Sequence, residues 1–411
     1  MQTLEIKYVG PIVSIKIDLN RYNVFIGKQS SGKSTIAKII SQSLWMEKEV
    51  CTHPYIPVSE YEESYYEELV DFHNLEGYFF NPACYINYES NSISIVYTQK
   101  KCTIIRKDNT NHFLRNKILY IPAERNIVVY SDSIGGVNNL KSFATDWQSA
   151  RDYHDKNNKQ KILDLGVKYY QENEGGKTIN RIEGVQGKEK YDIKLSNGSS
   201  GLQSVIPITT TVDFFTDEFY NPKTAEWFSK ANDNFTIKKI VGYSAEKYKE
   251  GISKKSESAI RGFVDEVTNL IATHKTCFVI EEPEINLFPE TQDQLMRFLV
   301  KCCDRENRQH TLTITTHSPY ILSSINIMIL AGVLAENDEL KEQINEITGG
   351  MVISPQDIAV YSIQKGTLKS LLNKKTGLID DNYLDSVSDI LASQFNRLYD
   401  IYIQQIRNKR Q

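Results

Sequence analysis

Short apolar runs, each closed by glycine, proline or polar residues, recur along this chain and set out a sequence of strands and helices. Residues 4–8, 12–19 and 22–26 read as three strands, and the run 35–44 that follows reads as a helix. Strands are expected around 92–97, 103–107 and 190–195, and 118–121 reads as a buried strand that Pro122 ends. Phe278, Val279 and Ile280 form a continuous apolar run, as in a parallel strand covered on both faces. Leu312 and Ile314 alternate with Thr311, Thr313, Thr315 and Thr316, which is a further strand, and 358–363 is another. Tyr61, Tyr65, Leu69 and Phe72 recur at helical spacing after Ser59 and Glu62, which make a capping box. A polar, partly helical stretch covers 130–175, and helices are expected from Pro289 and over 384–406. The fold class is α/β: a mixed sheet flanked by helices, with a short helical insertion between Gln203 and Phe278.

Three of the junctions between these elements carry chemistry. Gly27, Lys28, Gln29, Ser30, Ser31, Gly32, Lys33 and Ser34 match the P-loop pattern between a strand and a helix, where backbone N–H groups and the helix dipole favour phosphate. In that setting Lys33 reaches the β- and γ-phosphates, the Ser34 hydroxyl is a ligand for Mg²⁺, and Thr35 follows in the same turn. Glu281 and Glu282 end the apolar run 278–280, at the strand edge where α/β sheets bind ligands. Two adjacent carboxylates there suit metal binding through water by Glu281 and activation of a water by Glu282. His317 follows the threonine-rich strand, with Ser318 placed to cap the next helix and Pro319 as its first residue, so its imidazole can donate to a γ-phosphate.

Ser199-Ser200-Gly201-Leu202-Gln203 lies between the P-loop and the paired acids and offers a hydroxyl and backbone N–H groups at a helix start. Taken in this order, these segments resemble the ABC ATPase superfamily, in its soluble branch with SMC-like heads and OLD-type ATPases. The resemblance rests on the P-loop, on residues 199–203 as the signature motif, on residues 280–289 and on residues 315–319. The segment 120–125 is similar to one seen in many ATPases of this branch. It implies a P-loop NTPase of ABC-ATPase head architecture that uses ATP and Mg²⁺ as a head-to-tail homodimer. Ser200, Gly201 and Gln203 of one copy would cap the γ-phosphate held by the P-loop of the other, with Lys33, Glu282 and His317 as catalytic residues and Ser34 and Glu281 as metal ligands. Glu281 stands where most of the superfamily has Asp, and Leu202 replaces the second signature glycine. No glutamine between the P-loop and the signature is assigned as the switch residue, Gln99 being a candidate only.

The resemblance further implies the sensor or regulatory ATPase of a bacterial anti-phage system, working beside a separate effector protein. An SMC-like repair ATPase that binds DNA directly is the second expectation and a transporter subunit the third. The tail weighs against a nuclease, because Asp380, Asp381 and Asp385 lack the preceding apolar strand and the Asp-x-Asp spacing that such a domain in OLD nucleases carries.

Charge adds one feature. Residues 49–99 hold no Lys or Arg and nine acids, so that segment repels nucleic acid, although the whole chain is only at −4. Its tyrosine stripe packs on the head, or it serves as a docking surface for a basic partner. Mildly basic pieces lie at Lys238, Lys239, Lys247, Lys249, Lys254 and Lys255 and at Arg407, Lys409 and Arg410. Six cysteines show no metal or disulfide spacing, no signal peptide is recognisable, and the longest apolar stretch, 325–335, is too short for a bilayer; a cytoplasmic protein is expected. The segments divide as 1–48, the first lobe with the P-loop; 49–117, the acidic helix and β insertion; and 118–203, the central strands and signature. They continue as 204–275, the helical insertion; 276–325, the acid-bearing strand and histidine; and 326–411, an α/β tail.

Overall fold

The computed structural model describes residues 2–99, 101–107, 113–130, 138–187, 189–221, 234–305, 308–380 and 390–402. The first half of the chain forms β1 (Gln2–Val9), β2 (Ile12–Leu19), β3 (Tyr22–Gly27), α1 (Lys33–Thr52), α2 (Val58–His73), β4 (Tyr85–Glu89), β5 (Ile93–Thr98), β6 (Lys101–Arg106), β7 (Asn116–Ile121) and α3 (Asn138–Arg151). Next come β8 (Gln160–Ile162), β9 (Val167–Glu174), β10 (Lys177–Gln186), β11 (Glu189–Lys194), α4 (Ser200–Phe214), α5 (Asn234–Lys247), α6 (Lys249–Ser253) and α7 (Glu257–Ile271). The remainder forms β12 (Lys275–Glu281), α8 (Pro289–Cys303), β13 (Thr311–Thr316), α9 (Pro319–Leu334), α10 (Lys341–Thr348), β14 (Ile358–Gln364) and β15 (Thr367–Ser370).

Eleven strands share one mixed sheet, in the order β6-β5-β4-β1-β2-β15-β14-β3-β13-β12-β7. Within it β14, β3, β13, β12 and β7 run parallel, and the meander from β6 to β2 is antiparallel. Side chains alternate across the sheet with the strand period of two. Val24 and Ile26 of β3 join one core with Leu119, Ile280 and Ile314 and with residues of α3, α4, α8 and α9. Phe25 points the other way, into a second core with Ile36, Ile39 and Ile40 of α1, the α2 stripe and the meander. Continuous apolar strands are what a parallel sheet covered on both faces requires.

Several expectations change in the folded chain. Strands β8 to β11 form a separate four-stranded sheet, so the stretch read as polar and partly helical is helix α3 followed by strands. Their signal is weak because burial falls mainly on one face, at Ile162, Val167, Tyr169 and Ile182, with Tyr170 the exception on the other, among many charges. The tail is built into the head: β14 pairs with the P-loop strand β3, with Val360 opposite Val24. Ser59 does not cap α2, which starts one residue earlier behind Pro57 with no side-chain cap. Glu62 instead accepts from the Ile104 N–H at 2.7 Å, where the edge strand β6 leaves a donor unpaired. The tyrosine stripe does pack inward, since Tyr61, Tyr65 and Leu69 are buried in the second core. Residues 390–402 are helical; the rest of the 384–406 expectation, with Asp381, Asp385, Arg407, Lys409 and Arg410, lies outside the described residues. Among the described residues no helix is long and apolar enough to cross a membrane.

If α2 is held by this stripe, its two faces differ sharply in tolerance. Leu69→Ala is expected to cost about 2–5 kcal/mol, whereas Glu63→Ala on the exposed face stays within about 0.5 kcal/mol, as read by chemical denaturation.

Candidate functional site

Because β3, β13 and β12 are adjacent and parallel, the segments at their C-terminal ends meet at one edge of the sheet. The P-loop leaves β3 there, the paired acids leave β12, and His317 leaves β13. Lys28, Gln29 and Ser30 form an exposed tip, with Ser30 at φ 59° and Gly32 at φ 102°. Gly32 is needed twice over, since a side chain would be strained at that φ and its Cβ would sit 2.9 Å from Ile12 Cγ1. Helix α1 starts directly behind it with no side-chain cap and no acid in its first turn. Its orphan N–H groups and positive dipole end are thus left for an anion.

Lys33 is 4 % exposed and folds back on the loop, donating to the carbonyls of Gly27 at 3.0 Å and Lys28 at 3.2 Å. Burial lowers its pKa, and the nearby carboxylates of Glu282, Glu284 and Glu281 oppose that shift. Glu281 is buried beside Ser34; burial raises its pKa, and the Ser34 hydroxyl and Lys38 act the other way. A buried carboxylate next to a hydroxyl oxygen is a donor set that suits a hard divalent cation. Thr35 is buried in the first turn of α1.

Glu282 is held at φ 42°, a left-handed backbone that is rare outside glycine. Its N–H donates to the Thr315 carbonyl at 2.9 Å, which ties the turn to β13. Glu282 Oε1 lies 3.3 Å from His317 Nε2, with both side chains partly open to solvent. That imidazole is the main reason Glu282 stays below the ordinary carboxylate range despite its partial burial. Ser318 caps α9 as expected, accepting from the N–H groups of Tyr320 and Ile321.

The serine-glycine turn is placed differently. Ser199 caps α4 by accepting from the Leu202 N–H, and Ser200 is exposed at the helix start. Gly201 packs against the turn after β12, where a Cβ would lie 3.0 Å from the Asn286 carbonyl oxygen. Among the described residues, no hydrogen bond joins this turn to the P-loop of the same chain. Gln203 corrects an expectation: it is buried, donates to the carbonyls of Ser196 and Gly198 at 3.0 Å each, and accepts from the Tyr130 hydroxyl at 2.6 Å. Its amide therefore holds the turn and is spent within the chain. Gln99 is also corrected, because it sits exposed at φ 50° between β5 and β6, at the far edge of the sheet from the P-loop strand.

Two site residues escape a sequence reading that stops at the paired acids. Glu284 accepts from the Thr316 hydroxyl at 2.8 Å and from the His317 N–H at 2.6 Å, which fixes the backbone of the histidine. Arg125 is fully buried and donates to the carbonyls of Glu281 at 2.9 Å, Glu282 at 3.0 Å and Pro283 at 3.3 Å. Through Nε it also donates to the Ser204 carbonyl of α4 at 3.3 Å. Burial brings its pKa down to about 10, and the guanidinium stays charged. The acidic turn and helix α4 are thus clipped to one side chain. Asn286 reinforces the link by donating to the Ser204 hydroxyl at 3.1 Å.

No protein-family profile matches the chain, and no curated protein matches it. Among solved structures it is similar to an SMC head domain from Thermotoga maritima, at 10 % identity and TM-score 0.34, covering 78 % of this chain and 90 % of that one. It is also similar to the recombination mediator protein RecF, at 10 % identity and TM-score 0.29, with 90 % and 97 % covered. A dimeric ABC transporter cassette gives 9 % identity and TM-score 0.27, with 89 % and 96 % covered. At such scores the site rests on its own geometry.

Replacing Arg125 with Met leaves several buried carbonyls without a donor, each costing about 1–3 kcal/mol. Arg125→Met is expected to lower the unfolding free energy by at least about 2 kcal/mol, and Arg125→Lys to recover only part of it, because lysine lacks the forked donors. Urea denaturation of the two variants checks this.

Proposed function

We propose that the chain is an ATP-binding and ATP-hydrolysing enzyme of the ABC type, working as a head-to-tail homodimer. The observation that carries this reading is the convergence of an uncapped P-loop helix, the Glu281–Glu282 turn and His317 at the ends of three adjacent parallel strands. The P-loop N–H groups and Lys33 would hold the β- and γ-phosphates of ATP, as at other phosphate-binding helix starts. Ser34 and Glu281 would hold Mg²⁺, which when bound supplies charge neutralisation on the phosphates. Glu282, which remains a carboxylate beside His317, would take the proton of the attacking water. His317, anchored through its N–H to Glu284, would orient Glu282 and donate toward the γ-phosphate.

The dimer reading is supported by what Ser200 and Gly201 do in one chain. They stand at an accessible helix start, yet the hydrogen bonds of their turn do not run to the chain's own P-loop. A second copy would bring that helix start onto the γ-phosphate and complete the pocket, and the nucleotide would shift the population toward the closed pair. The role of regulatory ATPase beside a separate effector in anti-phage defence rests on the motif resemblance alone. Copurification of the natural gene neighbour with the chain tests it.

Glu282→Gln keeps the size and hydrogen-bonding capacity of the side chain but removes the base. The variant is expected to bind ATP like wild type, to lose turnover by about 10²–10⁴-fold, and to accumulate as a dimer with ATP and Mg²⁺. Light scattering that finds only monomer, or turnover that persists, contradicts the proposal.

A further inference from the structure

Two helices of this chain carry apolar stripes that the fold leaves uncovered. The first is α9, which follows His317 and has no charged residue along its whole length. Its inner positions, Ile321, Leu322, Ile325, Met328 and Ile329, fill the first core. On its outer side Tyr320, Ser323, Ile327, Leu330 and Leu334 recur at alternating three- and four-residue spacing, the pattern that seats one helix along another. The four large side chains of this stripe are 42–52 % exposed. Ser323 is no obstacle to covering it, because its hydroxyl donates to the Pro319 carbonyl at 2.9 Å.

The second stripe lies on the helix at residues 390–402, every residue of which is exposed. Leu391, Phe395, Leu398 and Tyr402 share one side at the same spacing, with Tyr399 and Ile401 on its flanks, and these six are 51–67 % exposed. Arg397 and Asp400 fall on the opposite side. A helix this short that buries nothing is marginal in water, so it needs a surface to lie on. Helices that lie on membranes are rich in Lys and Arg on the polar side, whereas residues 390–402 hold a single Arg and a single Asp. An apolar protein surface suits it better.

The two stripes fit each other. At 1.5 Å per residue the α9 stripe runs about 21 Å and the free helix about 20 Å. Neither stripe contains a charge, so covering one with the other leaves no ion without water. Each large side chain exposes on the order of 100 Å². One helix on one stripe therefore removes roughly 800 Å² from water, and two reciprocal contacts reach the roughly 1,200–2,000 Å² of stable interfaces. Within one chain the stripes do not cover each other, since both stay exposed. The chain leaves the head beside α9, where the Ile379 N–H donates to Asn326 Oδ1 at 2.8 Å. From Asp380 to residue 390 it can span at most about 36 Å, which lets the helix cross to a neighbour.

We propose that helix 390–402 of each copy lies on the α9 stripe of a second copy, pairing two chains by reciprocal contact about a two-fold axis. This pairing needs no nucleotide, so it stands apart from the head-to-tail pair that ATP closes.

The test uses the full chain carrying Lys33→Ala, without nucleotide, so that head closure contributes nothing. Sedimentation at tens of micromolar is expected to find a dimer. Leu398→Glu on the free helix and Leu330→Glu on α9 are each expected to weaken it by about tenfold or more. Both positions are exposed, so the head stays folded, as circular dichroism checks. Arg397→Ala, on the far side of the helix, is expected to leave the dimer intact. The six native cysteines are buried, so a short bismaleimide reacts with introduced thiols. A chain carrying both Leu330→Cys and Leu398→Cys is expected to be joined to a second copy at twice the chain mass. A monomer at these concentrations, a dimer that neither glutamate weakens, or cross-linking only within single chains overturns the proposal.

Discussion

One buried guanidinium holds the two halves of this molecule's chemistry in register. Among the described residues Arg125 has no carboxylate in ion-pair contact; it is satisfied by main-chain carbonyls of Pro122, Glu281, Glu282, Pro283 and Ser204. A charge that far from water is tolerable only when its donors are all taken, so the surrounding backbone must keep its shape. That shape includes the left-handed Glu282, whose strain is held against Arg125 on one side and the Thr315 carbonyl on the other. It also includes the start of α4, because Ser204 lies one turn behind the serine-glycine turn. The acidic turn and the start of α4 are therefore tied together through one side chain.

The parallel strands supply the other half of the arrangement. β3, β13 and β12 end level with one another, and each end is followed by a different kind of group: orphan N–H donors, an imidazole and two carboxylates. Burial sorts the two carboxylates. Glu281, deep beside Ser34, has its pKa raised, while Glu282, partly open beside His317, has its pKa lowered. Adjacent residues of the same type thereby acquire opposite pKa shifts, which is what the proposed division into a cation ligand and a base requires.

Much of this was legible in the residues themselves. The P-loop spacing, the apolar run before Glu281 and the Ser318-Pro319 helix start each have a local physical cause, and each stands where that cause puts it. What stayed hidden depends on distant partners. Gln203 looked available at a helix start, but Tyr130, Ser196 and Gly198 occupy its amide. Glu62 looked like a capping residue until the edge of β6 offered a stronger donor. The four-stranded sheet from β8 to β11 buries mainly one face, so its strands read as polar, and nothing near 358–364 signals pairing with β3. The reach of Arg125 spans about 160 residues of sequence, which no local pattern encodes.

The central claim is that each ATP pocket is completed by a second copy, and mixing two disabled chains tests it most directly. Lys33→Ala lacks the phosphate-binding lysine, and Ser200→Arg, at an exposed position, blocks the signature face. Each alone is expected to be inactive. In a mixed dimer one pocket carries both defects and the other carries neither, so an equimolar mixture is predicted to regain about a quarter of wild-type turnover. A mixture as inactive as its parents would contradict a pocket shared between two chains.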